Sequence, residues 1–387
     1  MLKQSHIEQL IHNLCPNGVE YKELGELCII LDSKRKPVSK GLRSKGIYPY
    51  YGANGILDYV GDYIFDGTYL LLGEDGSVIN EDKSPVLHWA VGKIWVNNHA
   101  HVLEEREDVA KLRYLFYVLQ TIDVSDIVRG TPPKINQQNL RGIQLPLPPM
   151  PVQEEIVRIL DSFTNLMDNI DTEINARQKQ LENTIERLFI DVKDDWDEKS
   201  LGEIGNVIKG SGIQKSDFVE VGYPCIHYGQ IHTYYGTSAV KTKSFISEKL
   251  YAKCKKAVTG DLVIATTSED VPACCKATAW LGKENVAVSG DAHILHHNQD
   301  PLFMAYLFRT DSFAQQRALA ARGTKVTRVS GDSLASFRFF FPPIAEQRAI
   351  AEKLDTIEAF INNLKTERDL RQQQYEYYRE YLINLLK

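Results

Sequence analysis

No stretch of this 387-residue chain comes near the roughly 18 consecutive apolar residues that a membrane span needs. The opening run from Met1 to His6 does not read as a signal peptide either. A cytoplasmic protein with no membrane partner is the expectation. Cysteine is scarce: Cys15, Cys28, Cys225, Cys254, Cys274 and Cys275 form no C-x-x-C pair, which argues against a disulfide framework or a zinc centre. There is no G-x-x-x-x-G-K-[ST] loop for cradling phosphates, and the glycines of Lys209 to Lys215 have the wrong spacing for one. An excess of positive charge is missing too, since the net charge is −6. That balance excludes a uniformly basic nucleic-acid binder, but the acid is unevenly spread. Glu20 to Leu147 carries −2, Pro148 to Asp195 −6, Trp196 to Phe341 +3 and Pro342 to Lys387 −1. The acid sits mostly between 148 and 195, so that segment should not lie along phosphates, whereas the flanking regions can still present basic faces.

What the chain does have is a repeat. From Pro148 the apolar residues Ile156, Leu160, Phe163, Met167, Ile170 and Ile174 alternate steps of four and three, the pattern of a heptad seam on a long helix. From Pro342 the pattern recurs, shifted by 194 residues, as Ile350, Leu354, Ile357, Ile361 and Leu364. Gln153 answers to Gln347, Arg177 to Arg371, and Leu181 and Leu188 to Tyr375 and Leu382. Each helix supplies the partner the other needs, and we expect them to pair antiparallel as a coiled coil. Outside the helices, Leu24-Gly25-Glu26 recurs at Leu201, Ala100-His101-Val102-Leu103 at Ala292, Tyr114-Leu115-Phe116 at Tyr306, and Arg129-Gly130-Thr131 at Arg322. The expected fold is therefore α+β: two mixed α/β lobes, 1–147 and 196–341, each followed by a spacer helix, 148–195 and 342–387, with pseudo-twofold internal symmetry. Ile7, Leu10 and Ile11 suit a short helix that imitates the end of the first spacer.

Each lobe offers candidate contact residues. In the first, 34–52 reads as a Gly/Pro-bearing loop with six basic residues, Lys34, Arg35, Lys36, Lys40, Arg43 and Lys45, followed by three tyrosines that include Tyr51 and then by Asn54. Cations suit phosphates; flat rings and amides suit bases. The turn from Arg129 adds Lys134 and Asn136. In the second lobe Lys209 and Gln214 precede Tyr223 to Gln230, whose His227, Tyr228 and Gln230 parallel Tyr48 to Asn54, and the turn from Arg322 carries Lys325 and Arg328 but no asparagine. A solvated loop is the bland alternative for each run. Lys249, Lys253, Lys255 and Lys256 read as a solvated basic helix face. The acidic stretch Gly73 to Gly76 reads as a turn, and His101, with no acidic or cysteine partner at ligand spacing, as a structural histidine.

These residues resemble one family, the specificity subunits of type I restriction-modification systems. The resemblance covers nearly the whole chain. It rests on Cys15-Pro16-Asn17-Gly18-Val19-Glu20-Tyr21, on Tyr48 to Ile56, on Trp95 to His101, and on the Pro-Pro-x-x-x-Gln that opens each spacer. It implies that each lobe is a target-recognition domain reading one half of a bipartite duplex DNA site. The paired helices, through the seam from Ile156 to Ile170 and from Ile350 to Leu364, would set the gap and dock two modification subunits and, through the complex, restriction subunits. It implies a non-catalytic chain without a cofactor or metal of its own, with S-adenosylmethionine, ATP and magnesium on partner subunits. In keeping with that, no Asn-Pro-Pro-Tyr-type methylation motif is present, and Thr131-Pro132-Pro133-Lys134 is a poor substitute. The alternatives are a self-sufficient DNA methyltransferase or nuclease using Asp261, Glu269 and Asp270, and a coiled-coil scaffold without DNA binding.

Overall fold

A computed structural model describes residues 5–191, 195–323 and 325–387. Thr324, part of the Arg-Gly-Thr repeat, lies outside the described residues. The chain forms two compact units: Met1–Asp171 with Thr366–Lys387, and Thr172–Lys365. Each unit thus holds one lobe, part of the helix that follows it and part of the other long helix.

In the first unit a six-stranded sheet runs in the order Cys28–Ile30, Ala100–Glu105, Phe65–Gly73, Leu87–Val96, Lys45–Gly52 and Gly55–Val60. The second half of Phe65–Gly73 is an apolar run covered on both sides: Leu70, Leu71 and Leu72 are all fully buried. Lys45–Gly52 corrects the reading of 34–52 as one loop. Its β-rich Ile-Tyr-Pro-Tyr-Tyr pairs antiparallel with Gly55–Val60 and, through Tyr50 and Tyr51, parallel with Trp95 and Val96. In the second unit a five-stranded sheet begins with the same trio, Gly205–Lys209, Ala292–His297 and Leu262–Ala265, followed by Lys276–Trp280 and Ser238–Ala239. The parallel pairing recurs in a second five-stranded sheet, as Cys225 with Ala287 and Ile226 with Val288. The basic helix face expected at Lys249 to Lys256 is not formed: the helix covers only Glu248–Tyr251, and Lys256 opens the strand Lys256–Ala257.

Both long helices have 41 residues, Met150–Ile190 and Ile344–Asn384. Ile156, Leu160, Met167, Ile170, Ile350, Leu354 and Ile361 are buried, while Phe163, Ile357 and Leu364 are half-buried. Within the first unit Phe163 stacks on Tyr378 at 5.3 Å and Arg368 reaches Asp171 at 3.4 Å; within the second, Arg177 lies over Phe360. In the first unit partner numbers fall as seam numbers rise, so the helix segments pair antiparallel there. The repeated arginines are tethered alike, Arg177 by Glu173 and Gln180, Arg371 by Glu367 and Gln374. Arginine keeps its stem on the seam and its head with a carboxylate on its own helix.

The repeated short motifs are joints between lobe and helix. Gln153 and Gln347 are both 1% exposed. The side chain of Gln153 donates to Pro148 O and accepts from the backbone N–H of Lys111, the residue before the helix Leu112–Leu119. Gln347 repeats this with Pro342 O and the N–H of Asp300, which caps Pro301–Leu307. Pro-Pro-x-x-x-Gln therefore ties the first turn of each long helix to the lobe before it. In Leu-Gly-Glu the glycine is a matter of space: a Cβ on Gly25 would meet the Arg141 side chain at 3.0 Å, and one on Gly202 would meet Ala335 O at 3.1 Å. The short helix His6–Leu14 joins the core of the first unit, where Ile7 is buried with Leu382, Ile383 and Leu386 and Glu8 accepts from Tyr381.

Candidate nucleic-acid interface

The basic run of the first lobe divides into paired and exposed residues. Arg35 is only 12% exposed at its side chain: its NH1 reaches Glu74 Oε2 at 2.5 Å and Ala100 O at 2.8 Å, and its Nε donates to Asp32 O. Arg43 packs over the Tyr50 ring at 4.2 Å and pairs with Asp58 at 3.2 Å. Both arginines hold the segment to its own lobe and are not free to meet phosphates in this arrangement. Lys34, Lys36, Lys40 and Lys45 are exposed. The segment they ride on is pinned, since Trp95 donates to Lys36 O at 2.6 Å and Val38 N–H donates to the Tyr50 hydroxyl. Asn54 is exposed beside it, whereas Tyr51 is 9% exposed and belongs to the core.

Beneath lies a polar network that the sequence reading missed. His101 is fully buried, yet it has an acidic partner: Nδ1 lies 2.6 Å from Asp32 Oδ2, and Nε2 2.8 Å from Ile135 O. Asp32 is 69 residues away in sequence, so no local spacing could have announced it. Asp32, Glu74 and His101 are the one grouping among the described residues that brings three ligand-type atoms within 4.8 Å of one another. Two cations already occupy it, Arg35 and Lys134, the latter 2.9 Å from Glu74. Burial pushes the Asp32 carboxyl up, but His101, Arg35 and the Val102 N–H outweigh it and hold it below its ordinary value. Glu74 is likewise held low, burial being overcome by Lys134, Arg35 and His101. Two carboxylates matched by two cations make an ion-pair core rather than a metal centre. Lys134 is thus partly committed, and Asn136 caps the helix Gln137–Arg141 through the Asn139 N–H.

In the second lobe five of the seven predicted residues sort into two clefts. The larger, about 880 Å³, brings together His227, Tyr228 and Gln230 with Lys215, Lys243 and Lys276. His227 and Tyr228 rings sit 4.7 Å apart, and Gln230 is held by Ser244 at 2.6 Å. Burial and nearby Lys215 keep His227 below the ordinary histidine range. Burial and the Arg309 cation lower Lys276. The smaller cleft, about 420 Å³, joins Lys209 and Arg328 with Arg322 and His293. Thr267 lines both, on a short strand paired with Thr327–Arg328. Gln214 and Lys325 are exposed and line neither. Lys215, Lys243, Lys276 and Arg322 were not among the expected contact residues; the clefts gather them from separate segments of the chain. The acids of the enzymatic alternative do not converge. Asp261 is buried against His296 and the Val258 N–H ahead of the strand Leu262–Ala265, whereas Glu269 and Asp270 lie beyond its other end, on the larger cleft.

Among the described residues no helix is long and apolar enough to cross a membrane. The family model described as "Type I restriction modification DNA specificity domain" matches twice, at residues 16–179 and 193–371. A Haemophilus influenzae protein named as a type I restriction enzyme specificity subunit is 32% identical over 98% of both chains. The EcoR124I/EcoR124II specificity subunit of Escherichia coli is 29% identical over 100% of this chain and 98% of its own. The crystal structure of the S subunit of a type I restriction-modification system from M. genitalium matches with a TM-score of 0.59 at 14% identity, covering 96% of each chain, a likeness of fold. With two copies of the domain model on the two repeated halves and full-length relatives of the same kind, the chain belongs to the type I restriction-modification DNA specificity family.

Proposed function

We propose that this chain is the sequence-reading, non-catalytic subunit of a type I restriction-modification complex. Each lobe reads one half of a bipartite duplex site, and the paired helices set the interval and dock two modification subunits and, through them, restriction subunits. The observation that carries the reading is the pairing of sameness and difference between the lobes. The joints at Gln153 and Gln347 are equivalent, as are the parallel strand pairs, while the exposed surfaces built on them diverge. One scaffold with two different surfaces suits two different half-sites, because base-edge recognition depends on which side chains a common frame presents. The first lobe offers Lys34, Lys36, Lys40, Lys45 and Asn54; the second offers the His227–Gln230 cleft and Lys209 with Arg328. Methyl transfer with S-adenosylmethionine and ATP- and magnesium-dependent steps then belong to the partner subunits. A lobe exchange tests this: replacing 20–147 with a lobe from a relative of different specificity should change one half-site in a map of methylated adenines and leave the other half and the gap unchanged. A change in both halves, or in neither, refutes one half-site per lobe.

A further inference from the structure

The ion-pair core of the first lobe has a counterpart in the second, and strand register identifies it residue by residue. Ile30 faces Leu103 as Val207 faces Leu295, so Asp32, two residues on, corresponds to Lys209, which faces His293. Leu72 faces His101 as Ile264 faces His293, so Glu74 corresponds to Thr266. The bridge of Arg129 with Lys134 corresponds to that of Arg322 with Arg328, and the cap Asn136 to the cap Ser330, which equates Gln137 with Gly331. In the first lobe two carboxylates and the Gln137 amide fill the space between histidine and basic turn, Gln137 donating to Asp32 Oδ2 at 3.0 Å. In the second, a lysine, a threonine and a glycine stand at those positions, and a cleft of about 420 Å³ opens there.

The charge inverts with the filling. Lys209, Arg322 and Arg328 line the cleft against the single carboxylate of Asp291, which accepts from Thr267 at 3.1 Å. Arg322 also donates to Leu319 O and Ala321 O, which fixes its head in the turn. Lys209 and Arg328 are exposed. His293 is held at Nδ1 by Thr266 at 2.7 Å, and burial together with Lys209 keeps it below the ordinary histidine range. We propose that this cleft binds one phosphoryl group, which takes the place the Asp32 and Glu74 carboxylates hold in the first lobe. Three cations around a concavity with room for an attached sugar suit a tetrahedral oxyanion. That the group is a DNA backbone phosphate rests on the proposed function; free phosphate has the same chemistry.

The test compares the full chain with the double variant Lys209→Asp/Thr266→Glu, which restores both acids, with Arg328→Gln, and with Lys249→Asp as a charge control outside the cleft. Duplex binding is measured across a salt series, and inorganic phosphate binding by calorimetry. A drop of about 0.9 in the slope of log K against log salt for Arg328→Gln, and at least as much for the double variant, with little change for Lys249→Asp, assigns one backbone phosphate to the cleft. If the wild-type chain binds no duplex at any salt but binds phosphate, and the double variant does not, the DNA reading fails while the site stands as one for free phosphate. Slopes and phosphate binding that match wild type in both cleft variants, or slopes that fall equally in the Lys249→Asp control, overturn the proposal, as does a wild-type chain that binds neither.

Discussion

At the residue scale, side chains of one charge in one short run sit in opposite environments, the arginines paired within their lobe and the lysines exposed. Replacing Lys34, Lys36 and Lys40 together with alanine should lower the salt slope of duplex binding by up to about 0.9 per lost phosphate contact and leave the melting temperature unchanged. Arg35→Ala should do the reverse. It leaves Glu74 short of a cation in a nearly buried site, and a loss of about 2–4 kcal/mol in denaturant unfolding is expected. The same network sets an acid limit. Asp32 and Glu74 are held below their ordinary values in the folded chain, so the unfolded chain binds more protons as pH falls. The stabilisation is complete above the unfolded carboxylate range, about pH 4 to 4.5, and drains away as pH drops through the lower folded values. Unfolding midpoints measured from pH 6 down to 3 should fall more steeply for wild type than for Asp32→Asn, provided both remain folded at pH 6. The split of 34–45 into paired arginines and open lysines was not legible in sequence, because Glu74, Tyr50 and Asp58 are what separate the two.

At the scale of elements, the joints between lobe and long helix are where repetition is strictest. Gln153→Leu keeps the volume but leaves the Lys111 N–H without its acceptor in a buried place, which costs about 1–3 kcal/mol. Gln347→Leu removes the corresponding bond to Asp300. Each substitution should lower stability, and the two losses should add within about 0.5 kcal/mol if the joints are independent. Thermal unfolding of the single and double variants measures this; strong non-additivity would show that one joint's geometry depends on the other. The heptad seam was legible because a helix face repeats at short range. The sheet order was not, since each strand's neighbours come from distant segments, as Lys45–Gly52 next to Leu87–Val96 illustrates.

At the scale of the molecule, the proposed ruler makes a quantitative claim. Inserting seven residues into each long helix, after Ile174 and after Arg368, preserves the seam and adds about 10.5 Å of helix to each. Base pairs rise about 3.4 Å, so the gap between half-sites should grow by roughly three base pairs with both half-sites unchanged, provided the duplex follows the added rotation. Methylation mapping reads the outcome. A changed half-site at an unchanged gap would refute the ruler.

Sequence alone determined the two-fold plan, the long helices with their seam, the Pro-Pro-x-x-x-Gln motif that opens each helix, and the family; that the motif is a joint to the lobe came from the structure. The features legible in sequence are all written as periodicities or as short motifs repeated in the same order along the two halves. Tertiary structure decided which polar residues are available. His101 met Asp32 and Glu74 across 69 and 27 residues of chain, and the equivalent His293 was left facing Lys209 and an open cleft. Pairing between strands from distant segments brings such residues together, whereas the alternation along one strand fixes only which face each side chain takes.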